Sequence, residues 1–456
     1  MSPPASNARP PSPAGETRSL LRLGLPIIVG LAASALMGVV DSAVLGNATA
    51  SALAAVSLTS SVALVFIAAL YGFLSPVGLL AARGFGQNSP KTVAEHFHTG
   101  RRLGWLAGSA GAALMLGALP LLPLLGQPDE VLAAIAPYWV PTALGLIPFS
   151  LTWVYKQILD AMDRPWLGVG VLAVMVLLNA GFSPVLAHGL LGLPALGLLG
   201  AGLGTLLAQC LALGLVMWLS RRGALRAWYQ ARPDGTREAL DTQVREGTPM
   251  GAQYLLETGA TGVAGLLVGL FGATALAANQ IAMSVTMTLY MVPLGLAAAV
   301  GIRLSQAIGS GRGGGVLWAI CRAGLWLAVA WMGLASLVMA AFGDDIMRLF
   351  TRQADVISVG AAIFVAVGLM QVADGIQSVS LGALRGLLDN RWPTCVSLVC
   401  YWLLAVPLAW ALAHASPLGP SGVWVGFGLG LVAAAVALTW RLRRLTRAPS
   451  ADGLVQ

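Results

Sequence analysis

The chain reads as long apolar runs separated by clusters of charge and by Gly/Pro turns. A membrane-spanning helix needs about 20 mostly apolar residues. The sequence predicts twelve such spans. They lie near residues 21–45, 52–82, 103–124, 132–155, 166–187 and 195–219, then 248–270, 275–303, 316–341, 354–382, 393–413 and 421–440. The longest polar segment, Arg221 to Gly247, falls between the sixth and the seventh. The expected fold class is an all-α integral membrane protein of twelve transmembrane helices in two six-helix bundles. The corresponding domains are a tail (1–20), an N-terminal lobe (21–220), a linker (221–247), a C-terminal lobe (248–441) and a second tail (442–456).

Composition agrees with this pattern. Apolar residues make up 57% of the 456 residues and charged residues 10%, whereas a soluble domain is about a quarter charged. An ordinary soluble enzyme is excluded, and the outer surface must face lipid. The net charge of +8 comes from short basic clusters between apolar runs, so no nucleic-acid partner is expected. Cys210, Cys321, Cys395 and Cys400 lie in apolar stretches without metal-ligand spacing and read as buried reduced thiols. The Pro/Ser-rich first 20 residues lack the apolar core of a signal peptide.

Lys and Arg set the orientation. With the N-terminus inside, every Lys and Arg except Arg348 and Arg352 falls in a tail or an inner turn. Lys156 and Arg164 are counted together in one such turn. Both termini are therefore expected in the cytoplasm.

The chain also repeats itself. A shift of 223 residues pairs Pro26 with Pro249, Gly46 with Gly269, and Gly72, Gly78 and Gly86 with Gly295, Gly301 and Gly309. It also aligns Ala52-Leu53-Ala54-Ala55 with Ala275-Leu276-Ala277-Ala278. An even number of spans per half makes this a parallel repeat about an axis along the membrane normal, the construction of alternating-access transporters.

Three acidic residues fall well within spans: Asp41, Glu257 and Asp374. Each costs at least about 2.5–3.5 kcal/mol at the bilayer centre, so each is a candidate for function. A proton, a metal cation or a cationic substrate is the natural partner. At 1.5 Å per residue, the separations Arg245–Glu257 and Asp374–Arg385 put both carboxylates roughly 16–18 Å above the inner charges, in one layer. Asp41 lies about 28 Å above Arg22. Asn179 and Thr205 lie about 22–24 Å up. With Asp41 they could coordinate a hard cation, or they could bond a neighbouring backbone. Pro26, Pro76, Pro249 and Pro293 lie within or at the ends of spans. Pro26 is the hinge candidate, a static kink being the alternative.

Several runs resemble the multidrug and toxic compound extrusion (MATE) transporters of the NorM-type subgroup. They are Leu25-Pro26, Val40-Asp41-Ser42-Ala43-Val44-Leu45-Gly46 and Ala52-Leu53-Ala54-Ala55 in the first half. The second half adds Pro249, Glu257, Gly269, Ala277-Ala278-Asn279-Gln280-Ile281-Ala282, Pro293-Leu294-Gly295, Gln371 to Gln377, and Gly382-Ala383-Leu384-Arg385-Gly386. The resemblance implies a secondary active antiporter of the bacterial inner membrane that exports organic cations, driven by H+ or Na+, with no other cofactor. It implies coupling roles for Glu257 and Asp374, and a first-half site of Asp41 and Asn179. Thr205, Ser183, Gln280 and Gln371 are further candidate ligands. Asn279 stands where the family usually has His, Met370 where a Tyr is frequent, and Ser183 where Asp or Asn is common. The last two replacements remove oxygen ligands, which favours H+ over Na+. The expected partners are small organic cations and the lipid bilayer, and the protein is expected to be a monomer. The alternatives are a lipid-linked saccharide flippase of the same superfamily, disfavoured by acidic deep charges, and a membrane enzyme. His96, His98, His188 and His414 lie at or near loops without a catalytic cluster, so no enzyme is expected.

Overall fold

The computed structural model describes residues 13–44, 49–125, 128–223, 225–231 and 236–447, with backbone alone for 13, 14, 34–43, 50, 125 and 236. Among the described residues twelve long helices follow one another: α1 (Pro13–Val44), α2 (Ala50–Gly86), α3 (Pro90–Ala118), α4 (Asp129–Ala161), α5 (Pro165–His188), α6 (Gly197–Ser220), α7 (Thr236–Gly269), α8 (Ala273–Gly309), α9 (Gly314–Phe350), α10 (Ala354–Gly386), α11 (Arg391–Ala415) and α12 (Pro420–Arg447). Among the described residues there is no strand. This is the twelve-helix, two-bundle membrane fold. Helices outrun the apolar stretches because the polar ends carry caps. Ser89 accepts from the Thr92 amide and Pro90 follows it, which starts α3 well before its apolar core. The segment 221–247 holds a short helix, Leu225–Gln230, and the first turns of α7.

Contacts divide the chain into two units, Val29–Leu255 and the part up to Ile28 joined to Leu256–Gln456. In the first, α2 packs on α4, α3 on α4, α4 on α6, and α5 on α6. The second repeats the scheme with α8 on α10, α9 on α10, α10 on α12, and α11 on α12. Each core buries a tryptophan whose indole N–H must find an acceptor. Trp139 donates to the Met115 carbonyl at 2.8 Å, and Trp424 donates to Asn279 Oδ1 at 2.8 Å. Large apolar side chains such as Leu177, Leu266 and Leu369 stay more than two-thirds exposed, as a lipid-facing surface requires.

The same turn closes four helices. Past the ends of α2, α4, α8 and α10, residues Asn88, Asp163, Gly311 and Leu388 take positive φ of 54°, 57°, 70° and 62°. The next amide then donates to a helix carbonyl: Ser89 to Gly84 at 3.0 Å, Arg164 to Leu159 at 2.9 Å, Arg312 to Ala307 at 3.0 Å and Asp389 to Leu384 at 3.0 Å. This is the Schellman closure, which satisfies carbonyls that the helix end leaves without partners.

The repeated glycines mark close helix crossings. In the first unit a Cβ on Gly72 would lie 2.5 Å from the Met250 carbonyl oxygen, so α2 and α7 touch backbone to backbone. In the second, Gly295 of α8 meets the Ile28 backbone of α1 in the same way. The first helix of each half thus begins in the unit built by the other half's helices.

Two expectations are corrected. Lys156 is not in a turn: it lies inside α4, 3% exposed, with Nζ 2.5 Å from Asp160 Oδ2. Helix α4 runs on to Ala161 because Lys156 neutralises Asp160 and spreads over the Trp153 ring at 5.0 Å. Cys210 and Cys395 are exposed, because their helices turn those apolar positions outward; Cys321 and Cys400 are buried, and all four are free thiols.

Gly72→Ala should lower the melting temperature of the detergent-solubilised protein, since the added methyl costs about 1–3 kcal/mol of overpacking. Gly170, in the second turn of α5 with open space around it, should gain up to about 1 kcal/mol on substitution by Ala. Equal effects of the two substitutions would contradict the crossing. Lys156→Met should cost about 3–5 kcal/mol by leaving Asp160 buried and unneutralised. The double variant Lys156→Met/Asp160→Leu should recover much of that loss in the same melting assay.

Candidate functional site

Glu257 reaches the interior of the second unit from α7. Helix α10 supplies Gln377, whose Nε2 donates to Glu257 Oε1 at 3.0 Å. Helix α11 supplies Ser397, whose hydroxyl donates to the same oxygen at 3.3 Å. Asp374, one turn before Gln377, lies close enough for its charge and that of Glu257 to interact, and Tyr401 feels both. The two carboxylates that the depth arithmetic places in one layer thus lie within range of each other's charge. A second hydroxyl pair, Tyr290 Oη and Ser378 Oγ at 2.8 Å, ties α8 to α10 beside them.

Local backbone fixes this geometry. From Leu398 to Ala405, α11 widens into π-helix, and the Val406 amide donates to the Tyr401 carbonyl. Such widened turns are frequent at functional sites. Next in the chain is Pro407, which has no amide to donate. The bulge carries Trp402 against α7, where its Nε1 donates to the Leu256 carbonyl at 3.0 Å. Gly259 leaves the room, since a Cβ there would stand 3.1 Å from the indole. The residue just after Leu256 is Glu257, so the indole fixes the backbone that bears the carboxylate.

The first unit holds a separate polar cluster. Asn179 of α5, fully buried, donates from Nδ2 to Ser183 Oγ at 3.0 Å and to Thr205 Oγ1 of α6 at 2.8 Å. Both hydroxyls also reach the Ala201 carbonyl, Ser183 at 3.4 Å and Thr205 at 3.2 Å. Gly204 makes the contact possible, with a Cβ there falling 2.6 Å from the Ser183 backbone. Thr205 also borders a cavity of about 50 Å³ lined by Thr142, Phe149 and Gln209. The helix α1 carries Asp41, whose side chain lies outside the described residues.

The remaining candidates sit elsewhere. Gln371 is fully buried on α10 with Nε2 3.3 Å from the Met339 sulfur, inside the apolar core. Gln280 is exposed on α8 and about 15 Å along that helix from Tyr290. Its neighbour Asn279 is the acceptor that holds Trp424. Met370 packs in the core beside Gly428. The tyrosines near the carboxylates come instead from α8 and α11. Among the described residues, no three His, Cys, Asp or Glu side chains gather as a metal site.

The MatE family pattern matches twice, over residues 26–185 and 249–411. The two matches begin at Pro26 and Pro249, the pair related by the internal shift. The chain belongs to the MatE family. Relatives of MatE type include a probable multidrug resistance protein NorM of Rhizobium meliloti, 32% identical over 95% of this chain and 96% of its own length. Another from Pseudomonas putida is 33% identical over the same shares. Among solved structures, the MATE transporter VcmN of Vibrio cholerae in its bent form superposes with a TM-score of 0.86 at 21% identity, covering 98% of this chain and 100% of that one. A eukaryotic MATE transporter, AtDTX14, has a TM-score of 0.84 at 18% identity. The MatE fold thus accounts for the whole described chain.

Sequence reading missed Gln377, Ser397 and Tyr401 as neighbours of Glu257. Gln377 was findable, one helical turn from Asp374 on the same face. Ser397 and Tyr401 were not, because a π-helical stretch breaks the periodicity that assigns a face.

Replacing Gln377 by Ala should weaken transport roughly tenfold, the usual scale for losing a group that orients a ligand. Ser397→Ala, which removes the longer hydrogen bond, should have the smaller effect. Initial efflux rates of the purified variants in proteoliposomes would check the order.

Proposed function

We propose that this MATE-family protein is a multidrug efflux transporter that works as a secondary active antiporter. It exports organic cations and other toxic compounds in exchange for H+ or Na+ by alternating access. The observation that carries this reading is the pair Glu257 and Asp374 on neighbouring helices, surrounded by the amide of Gln377 and the hydroxyl of Ser397. Two carboxylates side by side within a membrane repel each other unless a proton or a cation is shared between them. Carboxylate, amide and hydroxyl oxygens suit a hard monovalent cation as well as a proton. The curated relatives named for multidrug resistance support the substrate class.

In the proposed cycle, uptake of the coupling ion from outside neutralises the carboxylates and releases the drug outward. The ion then leaves to the cytoplasm, and the restored negative charge favours the next organic cation. Asp41, with Asn179, Ser183 and Thr205, is the proposed first-lobe counterpart of this site. Pro26 lies inside α1 close to Ile28, where the chain passes from one unit to the other, which supports a hinge role. The protein acts as a monomer in a bacterial inner membrane with both termini in the cytoplasm, in keeping with the Lys/Arg distribution. A flippase of lipid-linked saccharides would need cationic groups for a pyrophosphate, and this second-lobe cluster is acidic.

The test is efflux of a fluorescent organic cation from proteoliposomes with a pH gradient and a Na+ gradient imposed separately. One gradient alone should drive wild-type transport. Glu257→Gln and Asp374→Asn should each reduce it by at least about tenfold, given the cost of an unmatched intramembrane group. Undiminished gradient-driven efflux in both variants would overturn coupling at these carboxylates.

A further inference from the structure

The last turns of α12 carry Arg441, Arg443, Arg444 and Arg447, and these four are not alike. Arg441 is held by a carboxylate: its Nε donates to Asp389 Oδ2 at 2.7 Å, and its guanidinium stands 5.8 Å from the Trp392 ring. Its role is to tie α12 to the turn after α10. Arg443 and Arg447, one turn apart, instead converge on a single indole of another helix. Their guanidinium carbons lie 5.9 Å and 4.7 Å from the centre of the Trp318 ring on α9. Both side chains are exposed, and among the described residues neither forms an ion pair.

Two like charges a helical turn apart repel each other. The C-terminal end of a helix dipole and the face of an indole offset part of that repulsion. They leave most guanidinium N–H donors unused. A third cation completes the arrangement: Arg322, one turn beyond Trp318 on α9, is exposed and likewise without an ion pair among the described residues. Two unneutralised arginines thus stand against one tryptophan between α9 and α12, which pack directly on each other, and a third lies one helical turn from it on α9.

What leads away from this cluster is apolar. On α9, the spacing Trp318, Arg322, Trp326 puts the three on one face, and Trp326 is 68% exposed. On α12, Trp440 and Val436 continue the line back from Arg443, at 47% and 65% exposure. A ligand that fits both parts has an anionic, hydrogen-bond-accepting head and a long apolar body. Guanidinium forks match phosphate oxygens, and exposed Trp and Val faces match acyl chains.

We propose that Arg322, Arg443 and Arg447, gathered around Trp318, form a binding site for the phosphate headgroup of an anionic phospholipid from the surrounding bilayer, with its chains along Trp326 and Val436. The bound lipid supplies the counter-charge that the three arginines lack and holds the end of α12 against the start of α9. Arg444, which stands 4.2 Å from the ring centre of Trp440 on its own helix, lies outside this site.

Native mass spectrometry of the purified full-length protein, equilibrated with equal amounts of phosphatidylglycerol and phosphatidylcholine, tests the proposal. Wild type should retain phosphatidylglycerol preferentially. Each basic residue near an anionic surface contributes a factor of about five. The double variant Arg443→Gln/Arg447→Gln should therefore lose roughly 10–30-fold of that preference, with phosphatidylcholine binding unchanged. Arg444→Gln should keep at least most of it. All three substitutions are at exposed positions, and matching melting temperatures would show that the fold is intact. A wild type that binds both lipids equally would overturn the proposal. So would a double variant that keeps its phosphatidylglycerol preference, or an Arg444→Gln variant that loses it to the same extent.

Discussion

Within lipid, no water is available to solvate a charge or an open backbone group, and the rest of this structure follows from that one deprivation. It explains why indole N–H groups reach for carbonyls, as Trp139 does for Met115 and Trp402 for Leu256. It explains why Lys156 and Asp160 are found only as a pair. It also explains why Glu257 is surrounded by donors. A carboxylate held by Gln377 and Ser397 within range of a second carboxylate is costly in such surroundings. Where the constraint relaxes at the helix ends, arginines appear in number, and there the question becomes which of them have partners.

The repeat gives the molecule its economy. Four helices end in the same left-handed closure, and Asn88 and Gly311 stand at equivalent places in the two halves. One position uses Asn and the other Gly because the αL conformation admits both; Leu388 adopts it as well, at some cost in steric strain. Gly72 and Gly295, the matched glycines, are the points where the opening helix of the other half comes to within backbone contact. A substitution at one of these positions would separate two main chains and not merely crowd a side chain.

Divergence between the halves is equally informative. The second lobe gathers two carboxylates with an amide and hydroxyls, whereas the described part of the first gathers an amide with two hydroxyls that are already bonded to the Ala201 carbonyl. Asn179 organises the two neighbouring hydroxyls, and these in turn are oriented by the backbone. In the second lobe, Asn279 has taken up structural duty as the acceptor for Trp424, at a position where the family's usual histidine would bring a different donor and acceptor pattern.

The sequence by itself determined the twelve helices and their arrangement in two bundles. Hydropathy, proline, glycine and net charge act locally, and helical rise converts spacing into height. Helical rise predicts one layer for Glu257 and Asp374, and in the structure each lies within range of the other's charge. What only the tertiary structure decided is azimuth, the direction each residue faces around its helix. Gln371 and Gln280 share a motif-rich sequence context with the site, yet one points into the apolar core and the other outward. Ser397 and Tyr401 enter the site through a π-helical stretch that shifts the phase of α11, a shift that no regular periodicity records. Lys156 likewise read as a turn residue because a lone charge near the end of an apolar run looks solvated. Asp160 stands four residues on, a pairing the helical spacing already allows; only the fold shows that the pair is buried, because neighbouring helices exclude water from it.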